Sequence, residues 1–416
     1  MQSKRRPRIL FVSENVTLAQ VVRLLTLARS LPQSQYEVHF ASRAFDHVIF
    51  QGTDFSQHQL YTLDKERVLG AMEAGKRLYE RNALERYVDA ELELFDRIEP
   101  DLVVGDFRLS LSTSTQLRKV RLATIINAYW SPYAVRSGFP VPDHPIVRLL
   151  GEATAAKYFP LAIPRVFDHF ASPVNALRKA RRLPPLGSLL EVLTAGDDTL
   201  YLDEPTLTPL SGAPACHRFL GPVLWAPSVP VPGDLDASDA RPLVYVTLGS
   251  SGRTDALPHV LRALSNLPVR VVVATAGRVQ LSDLPDNVRA YPFVPGDQVS
   301  RRASLVISNG GSTTSYQALA EGTPVVGLPS NLDQYLAMTA IEAAGAGALV
   351  KARCVDETAI TRAVERVLHD EGFSRAARAI AERFRALDSG VEFRRYLSET
   401  LEGSAGARPT PFELEN

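Results

Sequence analysis

The chain has 416 residues, of which 45% are hydrophobic and 22% are charged. This length predicts two or three domains, and the composition is typical of a globular protein that buries a sizeable core. Basic and acidic residues both number 46, so the net charge of zero gives no electrostatic footprint for binding nucleic acid.

Two further features restrict the class of protein. Cys216 and Cys354 are the only cysteines, which excludes a disulfide framework and a cysteine-rich metal site. No apolar stretch reaches the ~18 residues of a transmembrane helix, and the apolar run at residues 9–12 is too short for a signal peptide. We therefore expect a cytoplasmic protein without a transmembrane segment.

Short apolar runs alternate with helical patterns in the first half of the chain. Helical spacing covers residues 18–31 and 65–97. The predicted strands are residues 9–12, 36–40, 102–104 and 122–126. This alternation predicts βαβ units and a parallel sheet.

Residues 142–195 interrupt the alternation with a helical sequence of mixed polarity. Ordinary packing would make this insertion part of a pocket wall. The alternative is an amphipathic face that contacts lipid, which would make the protein a peripheral membrane protein.

The second half of the chain repeats the alternation of strands and helices. Its predicted strands are residues 243–248, 269–274, 288–293, 305–308 and 324–328. We therefore predict an α/β fold with two Rossmann-like, doubly wound parallel sheets. Such sheets bind ligands beyond the carboxyl ends of their strands, so both domains should face a common cleft.

The domain boundaries follow from proline content and periodicity. We place the N-terminal domain at residues 1–222, a proline-rich extended linker at 223–241 and the C-terminal domain at 242–385. A C-terminal helix over residues 386–402 could cross back to the N-terminal domain. Residues 403–416 are expected to be a disordered tail.

A glycine-rich turn follows the strand predicted at residues 305–308. It consists of Asn309, Gly310, Gly311, Ser312, Thr313 and Thr314, and a helical pattern begins there. A helix N-terminus offers free N–H groups and about half a positive charge, and glycines let a phosphate approach the backbone. The turn therefore suits a diphosphate held without a metal, and the alternative is an ordinary strand-to-helix turn capped by Ser or Thr.

The order of motifs over residues 303–334 resembles the nucleotide-sugar signature of GT-B fold glycosyltransferases, in the family of UDP-glycosyltransferases and macrolide glycosyltransferases. That signature is a His-Gly-Gly-x-Gly-Thr turn, an acidic residue with Ala-Leu, then Gly-x-Pro and a terminal Asp-Gln. The corresponding residues here are Asn309 to Thr314, Gln317-Ala318-Leu319, Gly322-Thr323-Pro324 and Asp333-Gln334. The segments LVYVTLGSSG (243–252) and AYPFVPGDQ (290–298) are also similar to the family.

This resemblance implies a donor site for a nucleotide-diphosphate sugar, which is a co-substrate, with no cofactor and no metal. The residues implied to hold the diphosphate are Gly310, Gly311, Ser312, Thr313 and Thr314, helped by Ser250 and Ser251. Phe293 and Val294 would flank the base, and Asp333 and Gln334 would bind the sugar hydroxyls. Three departures leave UDP and dTDP both open: Asn309 replaces the family His, Gln317 replaces the ribose-binding Glu, and Thr313 replaces the second Gly.

The catalytic base is a larger departure from the family. The family's His, in the loop after the first strand, corresponds to Gln20, and an amide cannot act as a general base. The Asp that holds this His corresponds to Asp106, which could take the proton itself once it lacks a His partner, with Glu14 as the rival. The structural alternatives are a helix N-cap for Asp106 and a solvated loop carboxylate for Glu14.

An aromatic segment follows the strand predicted at residues 122–126. Its Asn127, Tyr129 and Trp130, together with His144 of the insertion, are the candidate acceptor-binding residues. Aromatic rings suit a small hydrophobic or aromatic acceptor, although they could equally pack around the turn as core.

The sequence therefore predicts an inverting, metal-independent glycosyltransferase of the hexosyltransferase type. It would move a sugar to a hydroxyl of a small-molecule or lipid-like acceptor, in natural-product or glycolipid biosynthesis. The alternatives are a non-catalytic or partner-dependent sugar-nucleotide-binding relative that has lost the His base, and a nucleotide-sugar epimerase on the same fold.

Overall fold

The computed structural model describes residues 5–73, 76–141, 147, 151–236, 239–249, 252–351 and 355–402. Three candidate site residues, Ser250, Ser251 and His144, lie outside the described residues, as does the predicted tail. The described residues form two α/β domains, each built around a parallel sheet, as the alternation predicts.

The N-terminal sheet has seven parallel strands in the order β3-β2-β1-β4-β5-β6-β7. The strands are β1 (Arg8–Ser13), β2 (Glu37–Ser42), β3 (Ser56–Gln59), β4 (Leu102–Asp106), β5 (Arg121–Ile126), β6 (Asp198–Tyr201) and β7 (His217–Phe219). The register of β1 and β4 pairs Ser13 with Asp106, so both strands end at the same edge. The strand order reverses between β1 and β4, and open parallel sheets bind ligands beyond the carboxyl ends of their strands at such a point. This edge carries the candidate site.

Seven helices of the described residues cover the N-terminal sheet. They are α1 (Leu18–Arg29), α2 (His47–Phe50), α3 (Lys65–Glu73), α4 (Arg81–Ile98), α5 (Leu111–Arg118), α6 (Glu152–Ala180) and α7 (Leu189–Leu193). The single helix predicted over residues 65–97 is wrong, because α3 and α4 are separate. The segment between them turns inwards at Tyr79, which is buried and donates a hydrogen bond to Glu14.

The C-terminal sheet has six parallel strands in the order β10-β9-β8-β11-β12-β13. The strands are β8 (Leu243–Thr247), β9 (Arg270–Ala274), β10 (Val288–Tyr291), β11 (Leu305–Ser308), β12 (Val325–Gly327) and β13 (Gly347–Leu349). Its helices are α8 (Leu257–Ser265), α9 (Gly296–Arg302), α10 (Ser312–Ala320), α11 (Leu332–Ala343), α12 (Glu357–His369) and α13 (Glu371–Arg385).

The last helix of the described chain, α14 (Ser389–Glu402), lies on the N-terminal domain. Its Phe393 and Tyr396 belong to the same buried cluster as Phe11 of β1. The Tyr396 hydroxyl also donates to Asp198 at 2.8 Å. The chain therefore passes between the domains twice, once through the linker after β7 and once between α13 and α14.

Within the part of the chain that the structure describes, no helix combines the length and hydropathy needed to cross a bilayer.

Candidate active site

The glycine-rich turn joins the end of β11 to the start of α10. Gly310 has a φ of +78°, and a Cβ there would lie 2.6 Å from Cγ of Met338, so only glycine fits this position. The Gly310 N–H donates to Oγ of Ser308 at 3.0 Å, and the Gly311 N–H donates to Oδ1 of Asn309 at 3.1 Å. The turn is thus fixed before α10 begins at Ser312, and the positive end of the α10 dipole points out of it.

Asn309, which replaces the family His, is almost fully buried. Its side chain closes the turn on Gly311 and lies beside the loop that follows β8, where Gly249 adopts a φ of +61°. A cation that sequence analysis missed also holds this loop: Nη1 of Arg278 donates to the carbonyls of Gly249 (3.2 Å) and Gly252 (2.6 Å). Nothing in the residue pattern around Arg278 indicated this contact.

The two residues predicted to flank the nucleobase differ in exposure. Phe293 is 53% exposed, whereas Val294 is 3% exposed, so only the Phe293 ring is available to a ligand. Gln317, on α10, donates from Nε2 to the carbonyl of Trp225 in the linker at 2.6 Å. The side chain of Gln317 therefore connects the donor helix to the linker.

The predicted sugar-binding carboxylate contacts the predicted acceptor wall. Asp333, at the start of α11, accepts a hydrogen bond from Nε1 of Trp130 at 2.7 Å and from the Tyr129 hydroxyl at 3.1 Å. Gln334 is buried, and its Oε1 accepts from the N–H and the hydroxyl of Ser330 at 2.8 and 3.1 Å. The structure thus brings together residues that were predicted for two different substrates.

Asn127 is the centre of a hydrogen-bond network that joins the two domains. Its Oδ1 accepts from Nη1 of Arg23 at 2.7 Å and from the hydroxyl of Ser312 at 3.1 Å. Its Nδ2 donates to the buried carboxylate of Asp203 at 3.0 Å, and that carboxylate also accepts from the hydroxyl of Tyr316 on α10. The N-terminal domain therefore holds the first turns of the donor helix directly.

Asp106 lies at the end of β4 and is not the unpartnered carboxylate that the sequence suggested. Arg23 of α1 binds it through two hydrogen bonds, at 2.9 Å from Nε and 2.7 Å from Nη2. Burial raises the pKa of Asp106, Arg23 opposes that rise, and the charge of Asp333 adds to it. Asp106 is also not a helix cap, because the N-cap of α5 is Ser110.

Glu14, the rival base, is buried and not a solvated loop carboxylate. Its Oε1 accepts from the hydroxyls of Tyr79 (2.8 Å) and Tyr87 (2.7 Å), and its Oε2 lies 3.5 Å from Nη1 of Arg108. Burial raises the pKa of Glu14 to about 7, although Arg108 and the two tyrosines oppose the rise. A carboxyl with this pKa can hold or release a proton near neutral pH.

The side chain of Gln20 binds the backbone at the start of its own helix. Its Oε1 accepts from the N–H groups of Val16 (2.9 Å) and Thr17 (3.1 Å), and Thr17 with Gln20 forms a capping box at the start of α1. The pattern Thr-x-x-Gln is a recognised capping-box sequence, so this role could have been predicted. The charged group that contacts Asp106 is Arg23, one helical turn further along α1.

The described residues also bear on metal binding. Among them, no group of three or more His, Cys, Asp or Glu side chains could hold a metal ion.

Comparison with known proteins relates the chain to sugar transferases. The family model described as "Erythromycin biosynthesis protein CIII-like, C-terminal domain" matches residues 258–399. The "PGL/p-HBAD biosynthesis glycosyltransferase" of Mycobacterium tuberculosis (strain ATCC 25177 / H37Ra) is 44% identical over 382 residues, covering 91% of this chain and 89% of that protein. The "PGL/p-HBAD biosynthesis rhamnosyltransferase" of Mycobacterium bovis (strain BCG / Pasteur 1173P2) is also 44% identical, over 91% of this chain and 85% of that protein.

Solved structures share the fold at lower sequence identity. "Spinosyn Rhamnosyltransferase SpnG" superposes with a TM-score of 0.70 at 21% identity, covering 94% of this chain and 100% of that one. The same enzyme "complexed with thymidine diphosphate" superposes with a TM-score of 0.67 at 20% identity and covers 94% of this chain.

The fold and the comparisons together define the class of protein: a glycosyltransferase with the GT-B architecture. More narrowly, the chain belongs to the family of the UDP-glycosyltransferases and macrolide (antibiotic) glycosyltransferases, which confirms the resemblance found in residues 303–334.

Proposed function

We propose that this glycosyltransferase moves a sugar from a nucleoside-diphosphate sugar to a hydroxyl of an aromatic or lipid-like acceptor, with inversion at the anomeric carbon and without a metal. One observation carries the proposal. A continuous hydrogen-bond chain runs from the Asp106 carboxylate through Arg23 and Asn127 to Ser312 at the start of the donor helix α10. The proposed proton acceptor and the proposed diphosphate-binding helix end are thus linked by hydrogen bonds, which supports a single reaction centre between the two domains.

The donor would bind at the turn between β11 and α10. The N–H groups and hydroxyls at the start of α10 would stabilise the charge that develops on the departing diphosphate, a role that metal ions have in other enzymes. Arg278 would add a positive charge beside the loop after β8, which offsets the charge lost with the family His. Support for a thymidine diphosphate donor comes from the spinosyn enzyme that was solved "complexed with thymidine diphosphate".

The acceptor would bind against the aromatic wall of the N-terminal domain. Tyr129 and Trp130 are buried beside Asp333, so an acceptor would reach their rings only after the two domains move apart, and its hydroxyl would then lie close to the sugar. Relatives named for PGL/p-HBAD biosynthesis, and the spinosyn enzyme "complexed with spinosyn aglycone", support an apolar acceptor.

The reaction would proceed in one displacement. The acceptor oxygen forms a bond to the anomeric carbon as the bond to the diphosphate oxygen breaks, through an oxocarbenium-like transition state. The acceptor's proton passes to Asp106. Arg23 would hold that carboxylate in position and oppose the rise in its pKa that burial causes.

The test compares two carboxylate variants. Asp106→Asn should lower kcat by about 10²–10⁴-fold, the usual contribution of a general base, while leaving nucleotide affinity unchanged. Glu14→Gln should keep most of the activity, because every described partner of Glu14 lies in the N-terminal domain. If Glu14→Gln abolishes transfer and Asp106→Asn does not, Glu14 is the base. If neither variant affects kcat, the base assignment is wrong.

The non-catalytic alternative makes a distinct prediction. It requires nucleotide-sugar binding without any transfer by the purified wild-type chain. Detection of a glycosylated product therefore rejects it.

A further inference from the structure

The residue directly after Asp106 has an unusual backbone conformation. Phe107 has a φ of +56°, and its partly buried ring packs against the cluster that contains Tyr129 and Trp130. This left-handed region is unfavourable for a bulky side chain, so a residue stays there only where its surroundings hold it. The turn at Phe107 fixes the direction in which the chain leaves β4, and with it the peptide bond next to Asp106.

The next residue, Arg108, holds this turn through a buried guanidinium. Its Nε donates to Oε1 of Glu91 on α4 at 2.6 Å, and its Nη2 donates to the carbonyl of Tyr61 at 2.9 Å. Its Nη1 lies 3.5 Å from Oε2 of Glu14, and the guanidinium stacks 4.3 Å from the ring centroid of Tyr87. The side chains of Arg108 and of both carboxylate partners are at most 1% exposed.

Glu91, the main partner of Arg108, is itself fixed on both carboxylate oxygens. Its Oε1 also accepts from the hydroxyl of Ser110 at 2.5 Å, and its Oε2 accepts from the hydroxyl of Ser114 at 2.6 Å. Ser110 is the N-cap of α5, and Ser114 lies in that helix. One buried carboxylate therefore ties α4 to the whole segment that runs from the Phe107 turn into α5.

Stability alone does not account for these buried charges. Taking a carboxylate and a guanidinium out of water is costly, and apolar residues of similar volume often give a protein that is as stable or more stable. A buried fork of hydrogen bonds does, however, impose one orientation on the groups that it joins. The active-site group nearest to Arg108 along the chain is Asp106, two residues before it.

We propose that Arg108 is a positioning residue that holds the turn at Phe107, and thereby holds Asp106 in the orientation that accepts the acceptor's proton. This inference rests on the proposed role of Asp106 as the base. Arg23 contacts the Asp106 carboxylate itself. Arg108 acts instead on the backbone from which that carboxylate projects.

The first test compares two arginine variants in the full chain. Arg108→Lys keeps the charge but loses the planar fork, and kcat should fall by about 10²-fold, the usual cost of a small displacement of a catalytic group. Nucleotide affinity should not change, because the donor turn belongs to the other domain. The matched control is Arg118→Lys. Arg118 of α5 also binds a carboxylate of α4, Asp96, through two hydrogen bonds at 2.7 and 2.8 Å, but its side chain is 39% exposed, so kcat should stay at the wild-type value.

A second pair of variants tests the turn without changing a buried charge. Phe107→Asn and Phe107→Val both remove the ring, but asparagine tolerates the left-handed region and a β-branched residue does not. Phe107→Val should therefore have a kcat about 10-fold below that of Phe107→Asn, at equal nucleotide affinity. Circular dichroism and calorimetry with the nucleotide show which variants are folded. This comparison decides the proposal even if Arg108→Lys does not fold.

Combination with Asp106→Asn separates this inference from the base assignment. If Arg108 acts through Asp106, adding Arg108→Lys or Phe107→Val to Asp106→Asn should lower kcat little further. The positioning role is overturned by multiplying losses in these double variants, by equal kcat values in the two Phe107 variants, or by a wild-type kcat in a folded Arg108→Lys. An unchanged kcat in Asp106→Asn alone would instead reject the proposed base, and this inference with it.

Discussion

The buried carboxyl of Glu14 should make the stability of this protein pH-dependent in a predictable direction. Burial raises its pKa to about 7, from an ordinary value of 4.5. A carboxyl whose pKa is higher in the folded state binds its proton more tightly there. Its stabilising contribution is therefore complete below about pH 4.5 and is lost as the pH rises through 7.

The size of this effect follows from the two pKa values. Each unit of difference corresponds to about 1.4 kcal/mol, so the free energy of unfolding should fall by roughly 3 kcal/mol over the whole range. Between pH 5 and pH 8 the fall from this group should be roughly 2 to 3 kcal/mol. The variant Glu14→Gln cannot ionise, so it should be more stable relative to the wild type at pH 8 than at pH 5 by that amount.

Urea unfolding of both proteins at the two pH values measures this difference. A matched control is Glu93→Gln, which removes a glutamate that is exposed on α4. The control should leave the pH dependence of the wild type nearly unchanged. If the stability difference between Glu14→Gln and the wild type is the same at pH 5 and pH 8, Glu14 does not titrate as its burial requires.

Three further predictions concern the cleft. Tyr316→Phe removes a hydrogen-bond donor to the buried Asp203 carboxylate and should lower the free energy of unfolding by about 1.5–3 kcal/mol in thermal or urea melts. An unchanged stability would contradict the interdomain contact. Gly310→Ala should abolish nucleotide binding in calorimetry, because its φ of +78° and the contact with Met338 exclude a Cβ. Gly311→Ala, at a φ of −68°, should bind the nucleotide measurably better than Gly310→Ala does. Equal loss of binding in both variants would refute the argument from the turn. Transfer should persist in excess EDTA, and loss of activity that Mg²⁺ restores would contradict a metal-independent mechanism.

The sequence predicted the sheets well where their strands are buried. The runs at residues 9–12 and 102–104 are buried parts of β1 and β4, and their apolar composition is a direct consequence of burial on both faces. Four strands were missed: β3, β6, β7 and β13. Strands β3, β7 and β13 are short and lie at the ends of their sheets. Strand β6 is buried, but it has only four residues, and two of them are the polar Asp198 and Thr199. The sequence of β3 is Ser-Gln-His-Gln, so it carries no hydrophobic signal.

The candidate site was predictable only where the motif is local. The turn from Asn309 to Ser312 could be located, because consecutive residues form it. The partner of Asp106 could not be predicted, since Arg23 lies 83 residues away and nothing in either segment specifies the pairing. The same holds for Asp203, whose burial against Tyr316 depends on the packing of two domains.

The donor and acceptor residues also illustrate how position in the fold changes a prediction. Asp333 was predicted for the sugar and Trp130 for the acceptor, and in the structure they share a hydrogen bond. Sequence analysis treats each residue within its own domain, and only the relative placement of the domains reveals such a contact. Substrates that enter the cleft would therefore compete with these two side chains for hydrogen bonds.

The anomeric configuration of the product tests the central claim most directly. The purified chain would be given an α-linked uridine or thymidine diphosphate sugar and a simple phenolic acceptor, and the product analysed by proton NMR. The account predicts a β-linked glycoside, formed by a single displacement with the proton passing to Asp106. An α-linked product, or no glycoside in the presence of demonstrated donor and acceptor binding, would contradict it.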